Sequence, residues 1–264
     1  MVLFLVILFF FGLFVGSFLN VVILRQGTGV SFLRGRSHCP KCKTTLSSLE
    51  LIPVLSFLFL KGKCKHCAVP ISVQYPIVEI ATGVVFALLA WKAGVPTSFL
   101  DVFHLAVLLI VAGSLIVILV YDMYHYVIEN TVLLVAFCGI ILWNGVRFFQ
   151  DSSSFADIVV WVATAFIVAL FFLSLHVLTR GRGMGMGDVK LAFVIALLFG
   201  YPLVLVWLFF AFVSGGIIGV VLLALGRKKR TDKVPFAPFL VLNSLLVFLV
   251  GHSVWEQYLS FVTI

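Results

Sequence analysis

Long stretches of this chain carry almost no polar residue, and they recur along its length with short polar breaks between them. The apolar runs cover roughly 2–24, 73–91, 102–121, 131–149, 157–178, 189–200, 203–225 and 236–250. A run of about 20 such residues, wound as a helix, crosses the hydrocarbon of a bilayer. The pattern predicts an all-α polytopic membrane protein with about eight transmembrane helices. The sixth run is short. It either begins below the surface or forms a tight hairpin with the seventh across Gly200-Tyr201-Pro202. A secretory signal is the rival reading of the first run. No basic residue precedes that run, Arg25 follows it, and no small-x-small cleavage site comes after; it reads as a retained helix.

Composition agrees with the pattern. The 264 residues are 63% hydrophobic and 11% charged, with 28 Phe, and the mean hydropathy is +1.25. No soluble core needs that much apolar surface. The net charge of +8 sharpens the topology. Of the 18 Lys and Arg, only Lys92 and Arg147 fall in even-numbered gaps; the others sit at 25–65, 180–190 and 227–233. Basic loops stay in the cytoplasm, so the N-terminus is expected outside. Nucleic-acid binding is the competing account of the charge. It is disfavoured, because the charges are spread over separate loops that flank apolar runs.

The one long polar segment, 25–72, holds four of the five cysteines. Cys39-Pro40-Lys41-Cys42 and Cys64-Lys65-His66-Cys67 are two Cys-x-x-Cys knuckles. Such a pair supplies four thiolates to a tetrahedral structural zinc, and predicts a small cytoplasmic zinc-ribbon-like loop domain. Stable disulfides are disfavoured on the reducing side of the membrane, and a redox centre needs only one knuckle. Cys138, alone in the fourth run, reads as a small buried apolar residue.

Two carboxylates stand at the cytoplasmic ends of apolar runs. Asp122 follows Val120-Tyr121, and Asp188 closes Gly185-Met186-Gly187-Asp188. A carboxylate at a membrane boundary is costly to dehydrate and points to function. Two that share a proton make an aspartic protease dyad, since like charges a few ångströms apart cannot both ionise. Glycines at 181, 183, 185 and 187 leave the backbone bare before Asp188, so that an extended substrate can approach. Gly185, Gly187 and Lys190 are therefore candidate substrate or active-site loop residues beside the candidate catalytic Asp122 and Asp188. Lys190 either pairs with an acid or extends to the surface. His125 and His176, near the same face, are potential bases, although a lone histidine is more often structural. No His-Glu-x-x-His and no Gly-x-Ser-x-Gly occurs, which leaves zinc-protease and serine-hydrolase chemistry unsupported.

In this order the motifs resemble the bacterial type IV prepilin peptidases, within the wider Gly-x-Gly-Asp intramembrane aspartic proteases. The matching pieces are Gly16-Ser17-Phe18-Leu19-Asn20-Val21-Val22 with Arg25, the two knuckles, Tyr75-Pro76-Ile77-Val78-Glu79, Asp122, Gly185-Met186-Gly187-Asp188-Val189-Lys190, and Pro235-Phe236-Ala237-Pro238-Phe239-Leu240. Two positions depart. Glu129-Asn130 stands where members usually have Pro-Asp or Pro-Asn, and Ala237 where they have glycine. The resemblance implies an aspartic endopeptidase of the bacterial inner membrane. Its substrates would be the leader peptides of prepilins and pseudopilins, cut at the cytoplasmic boundary. It also implies N-methylation of the new terminus with S-adenosylmethionine, for which the sequence assigns no binding residues. The implied organisation is an N-terminal domain at 1–92, a peptidase core at 102–225, and a basic loop with the last span at 226–264.

The dyad titrates as a unit, so the sequence does not say which aspartate is acid and which is base. A presenilin-like protease with other substrates also fits Tyr121-Asp122 and the Gly-x-Gly-Asp motif; the cysteine loop favours the prepilin type. A proton- or cation-coupled transporter would show inverted repeats and broken helices, and no internal repeat is present. The oligomeric state is not legible.

Overall fold

The computed structural model of the protein describes residues 1–150, 154–226 and 234–262. The basic stretch 227–233, expected as a cytoplasmic loop, lies outside them. Each apolar run is helical, and no strand occurs among the described residues. The helices are α1 (Val2–Arg25), the short α2 (Leu55–Phe59), α3 (Gln74–Ala93), α4 (Phe99–His125), α5 (Asn130–Gln150), α6 (Phe155–Leu178), α7 (Met186–Phe199), α8 (Leu203–Ala224) and α9 (Ala237–Val262). Six of these, α1, α3, α4, α6, α8 and α9, are long and apolar enough to cross a membrane. Within α5 the shorter stretch Asn130–Val146 is apolar, and α7 has only 14 residues.

The chain divides into two compact units, Met1–Val117 and Ile118–Ile264. In the first, α1 and α3 meet backbone to backbone. A Cβ on Gly12 would lie 2.7 Å from the Gly83 Cα, and one on Gly16 would lie 2.7 Å from the Glu79 Cα. Apolar side chains gain little by leaving lipid, so membrane helices associate through small residues that let backbones touch. Buried Asn20 then reaches across, its Nδ2 donating to the Tyr75 carbonyl at 3.1 Å.

Buried Glu79 accepts the Val54 N–H at 2.7 Å through Oε2. Val54 occupies a tight turn closed by Leu55 N–H donating to the Pro53 carbonyl at 2.6 Å, with φ +61° and ψ −50°. A β-branched residue there is strained, and the Glu79 carboxylate holds the turn in place.

In the second unit α7 is the most enclosed helix: Leu191, Ala192, Ile195 and Ala196 have no exposed surface. Its C-terminal end is tied down at one carbonyl. Leu197 accepts from Trp161 Nε1 of α6 at 2.6 Å and from Asn144 Nδ2 of α5 at 3.0 Å. Gly200 then turns the chain into α8 with φ +63°, and a Cβ there would strike Trp161 Cδ1 at 2.9 Å. The expected tight hairpin after the sixth run is present. Fully buried Trp207 of α8 donates to the Leu240 carbonyl of α9 at 2.9 Å.

Candidate active site

Asp122 lies in the last turn of α4, inside the helix rather than just past its end, and is 5% exposed. Tyr126, with φ +56°, turns the chain out of α4 immediately afterwards. The buried Oδ2 of Asp122 has no hydrogen-bond partner among the described residues. The Asp122 carboxylate is approached by the backbone N–H of Ala237, the first residue of α9, and feels the charge of Asp188. The two carboxylates thus share one site, within electrostatic reach of each other.

Asp188 sits in the first turn of α7, where its Oδ2 accepts the Gly185 N–H at 3.0 Å. A carboxylate in that turn is favoured by the unpaired N–H groups and the positive end of the helix dipole. The glycines serve this geometry differently. A Cβ on Gly187 would lie 3.1 Å from the Ile128 Cβ, so glycine lets α7 start against the segment leading to α5. A Cβ on Gly185 would press on Asp188 Oδ2 at 3.3 Å.

Lys190 makes no acidic ion pair among the described residues. Its Nζ donates to Asn130 Oδ1 at 3.0 Å, linking α7 to the first residue of α5. Both residues edge a cavity of about 470 Å³ whose walls are apolar, including Leu133, Phe137, Phe166 and Phe193. Glu129 offers its backbone carbonyl to Leu133 N–H at 3.1 Å, starting α5 where a proline was expected. At the second departure the Ala237 methyl is accommodated with no exposed surface.

Two contacts around the carboxylates were not legible in the sequence. The Ala237 N–H is a backbone group that any residue but proline would supply. His176, placed near this face by the sequence, directs Nδ1 at the Met184 carbonyl, 2.8 Å away, a bond that the sequence did not indicate.

The first unit holds the cysteine cluster. Cys39, Cys42, Cys64 and Cys67 bring four sulfurs within 4.8 Å of one another. The two knuckles repeat one geometry. Lys43 and Ala68, each four residues after its first cysteine, take positive φ (59° and 56°) and donate N–H to the Cys39 and Cys64 carbonyls at 2.9 Å. A tetrahedron with Zn–S arms of about 2.3 Å has S···S edges of about 3.8 Å, and Cys39 Sγ lies 3.8 Å from Cys67 Sγ. The donor set fits zinc. The site is primed for it electronically, since hydrogen bonds from Thr44, first its side chain and then its backbone, hold the Cys42 thiol down to about 6.

Similar proteins agree with this arrangement. Residues 10–93 match the Bacterial Peptidase A24 N-terminal domain, and residues 109–220 match the Type IV leader peptidase family. The chain is 34% identical over 257 residues to the prepilin leader peptidase/N-methyltransferase of Bacillus subtilis (strain 168), covering 96% of this chain and 97% of that protein. Its identity to the protein of the same name in Myxococcus xanthus (strain DK1622) is 33% over 240 residues, covering 89% and 69%. With that of Stutzerimonas stutzeri it is 27% over 277 residues, covering 95% and 92%. No solved structure matches. With relatives of this identity aligned over nearly its whole length, the chain belongs to the type IV leader peptidase family.

Proposed function

We propose that the protein is an aspartic endopeptidase that cleaves the leader peptides of type IV prepilins and pseudopilins. In this reading every helix but the short α2 crosses the inner membrane, with the N-terminus outside and the cysteine loop in the cytoplasm. The observation that carries it is the pair formed by Asp122 and Asp188 in one site, with unlike surroundings. Asp188 has an N–H donor on Oδ2 and suits the ionised role. Asp122 also has the Ala237 N–H beside it, but its buried Oδ2 has no partner among the described residues, and it suits the protonated role.

The chemistry follows. Asp188 takes a proton from a water bound between the carboxyls, and that water attacks the scissile carbonyl. Asp122 donates a hydrogen bond to the carbonyl oxygen as it gains charge. Asp188 then passes that proton to the leaving amine as the C–N bond breaks, which frees the amine and restores the carboxylate. The bare backbone at Gly185 admits the extended leader, Gly187 lets α7 start against Ile128 beside it, and Lys190 borders the leader's path. The relatives' names add N-methylation of the new N-terminal amine; S-adenosylmethionine would supply the methyl group. Cys39, Cys42, Cys64 and Cys67 would hold a structural zinc that fixes the loop domain. The cysteine cluster supports the prepilin type over a presenilin-like protease, and over a transporter.

The test is incubation of purified protein with a prepilin, with and without S-adenosylmethionine, followed by mass spectrometry of the product N-terminus. Asp122→Asn and Asp188→Asn are each expected to abolish cleavage while the protein stays membrane-inserted. Full processing by either variant overturns the dyad.

A further inference from the structure

His176, in the last turn of α6, has Nδ1 2.8 Å from the Met184 carbonyl oxygen. A carbonyl can only accept, so this ring nitrogen carries the hydrogen. The same peptide group has a second bond at its other end: the Gly185 N–H donates to Asp188 Oδ2 at 3.0 Å. One amide thus joins the imidazole to the carboxylate. A donor on an amide oxygen polarises the group and makes its N–H a better donor, so the two bonds reinforce each other.

The glycine loop is built around this ring. Gly181 N–H donates to the His176 carbonyl at 2.8 Å, and a Cβ on Gly181 would lie 3.3 Å from the ring Cε1. Met184 is buried, so the peptide is held from both sides. A histidine that merely ended α6 would account for the Gly181 bond. It would have no need to aim its ring at the carbonyl whose partner N–H serves Asp188.

We propose that His176 is a positioning residue for Asp188. It fixes the Met184–Gly185 peptide so that its N–H points at the carboxylate, and it strengthens that bond in the ionised state that activates water. His176 touches no substrate. The inference rests on the reading of Asp188 as one of the catalytic pair.

The test is steady-state cleavage of a prepilin by the full chain and by His176→Leu, His176→Asn and Asp188→Asn. Each protein's apparent melting temperature is measured alongside. Asparagine carries an amide nitrogen as many bonds from Cβ as Nδ1, so it can donate to Met184 without an imidazole. Loss of the donor in His176→Leu is expected to lower kcat about tenfold or more with KM unchanged, as small displacements of catalytic groups do. His176→Asn is expected to restore most of that loss. Unaltered kcat in His176→Leu overturns the proposal. So does a His176→Asn enzyme no better than His176→Leu at equal melting temperature. If His176→Leu melts lower, recovery of kcat by His176→Asn still decides. Asp188→Asn separates the two readings: if it cleaves at full rate the dyad fails, and if it is inactive while His176→Leu is unaltered, only the positioning role fails.

Discussion

Replacing Gly16 by alanine tests how the α1–α3 pair is held. The added methyl would lie 2.7 Å from the Glu79 Cα, 3.0 Å from Thr82 Oγ1 and 3.0 Å from the Val78 carbonyl oxygen. Two of these are backbone atoms, so no rotamer change relieves them, and the helices must separate by about 1 Å to reach ordinary contact distance. Forced overpacking of this kind costs about 1–3 kcal/mol. The same separation stretches the 3.1 Å bond from Asn20 to the Tyr75 carbonyl beyond hydrogen-bond range, a further cost of about 1 kcal/mol. The total, about 2–4 kcal/mol, corresponds to a fall in melting temperature of roughly 5–15 °C for a chain of this size. The assay is thermal unfolding of the purified protein in detergent. Gly219→Ala in α8 is the control, because nothing lies within 4 Å of its added methyl. It should be neutral, or more stable by up to about 1 kcal/mol. Equal melting temperatures for Gly16→Ala and Gly219→Ala would refute the close-contact argument.

Three further outcomes are expected. Cys39→Ser and Cys64→Ser each remove a buried ligand and should bring zinc per chain, measured by elemental analysis, from about one towards zero. In metal-free protein the Cys42 thiol, held at about 6 by Thr44, should be alkylated by iodoacetamide with a midpoint near that pH. Its folded value lies below the ordinary 9.0, so its contribution to stability is full above the ordinary value and is lost as pH falls through about 6. Thr44→Val should move the alkylation midpoint upward. Lys190→Met and Asn130→Ala both break the 3.0 Å tie between α7 and α5, each costing about 1 kcal/mol of stability. If Lys190 borders the leader's path, only Lys190→Met also raises KM for a prepilin; equal KM values exclude that role.

Much of this was written in the chain. Each apolar run became a helix because twenty apolar residues leave the backbone no other partner than itself. The cysteine spacing alone brought four sulfurs together. The boundaries were less legible. The fourth helix runs to His125 because Asp122, Met123 and Tyr124 continue its turns until Tyr126 takes positive φ. The last helix runs to Val262 rather than 250 because its polar residues past Gly251 point outward. The strained Val54 turn, the Ala237 N–H and the His176 bond were invisible for a common reason: each depends on backbone groups, which every residue carries and no letter marks.

The short α7 has a consequence for the loop that precedes it. Fourteen residues make a helix of about 21 Å, against roughly 30 Å of hydrocarbon. Gly200 and the shared Leu197 carbonyl anchor its far end, so the shortfall collects at the end that bears Asp188. Because protein encloses α7, neighbouring helices rather than lipid face that gap. The glycine loop before Asp188 is thus backbone that only protein or water can serve, and in a bilayer it would lie inside the length of the longer helices.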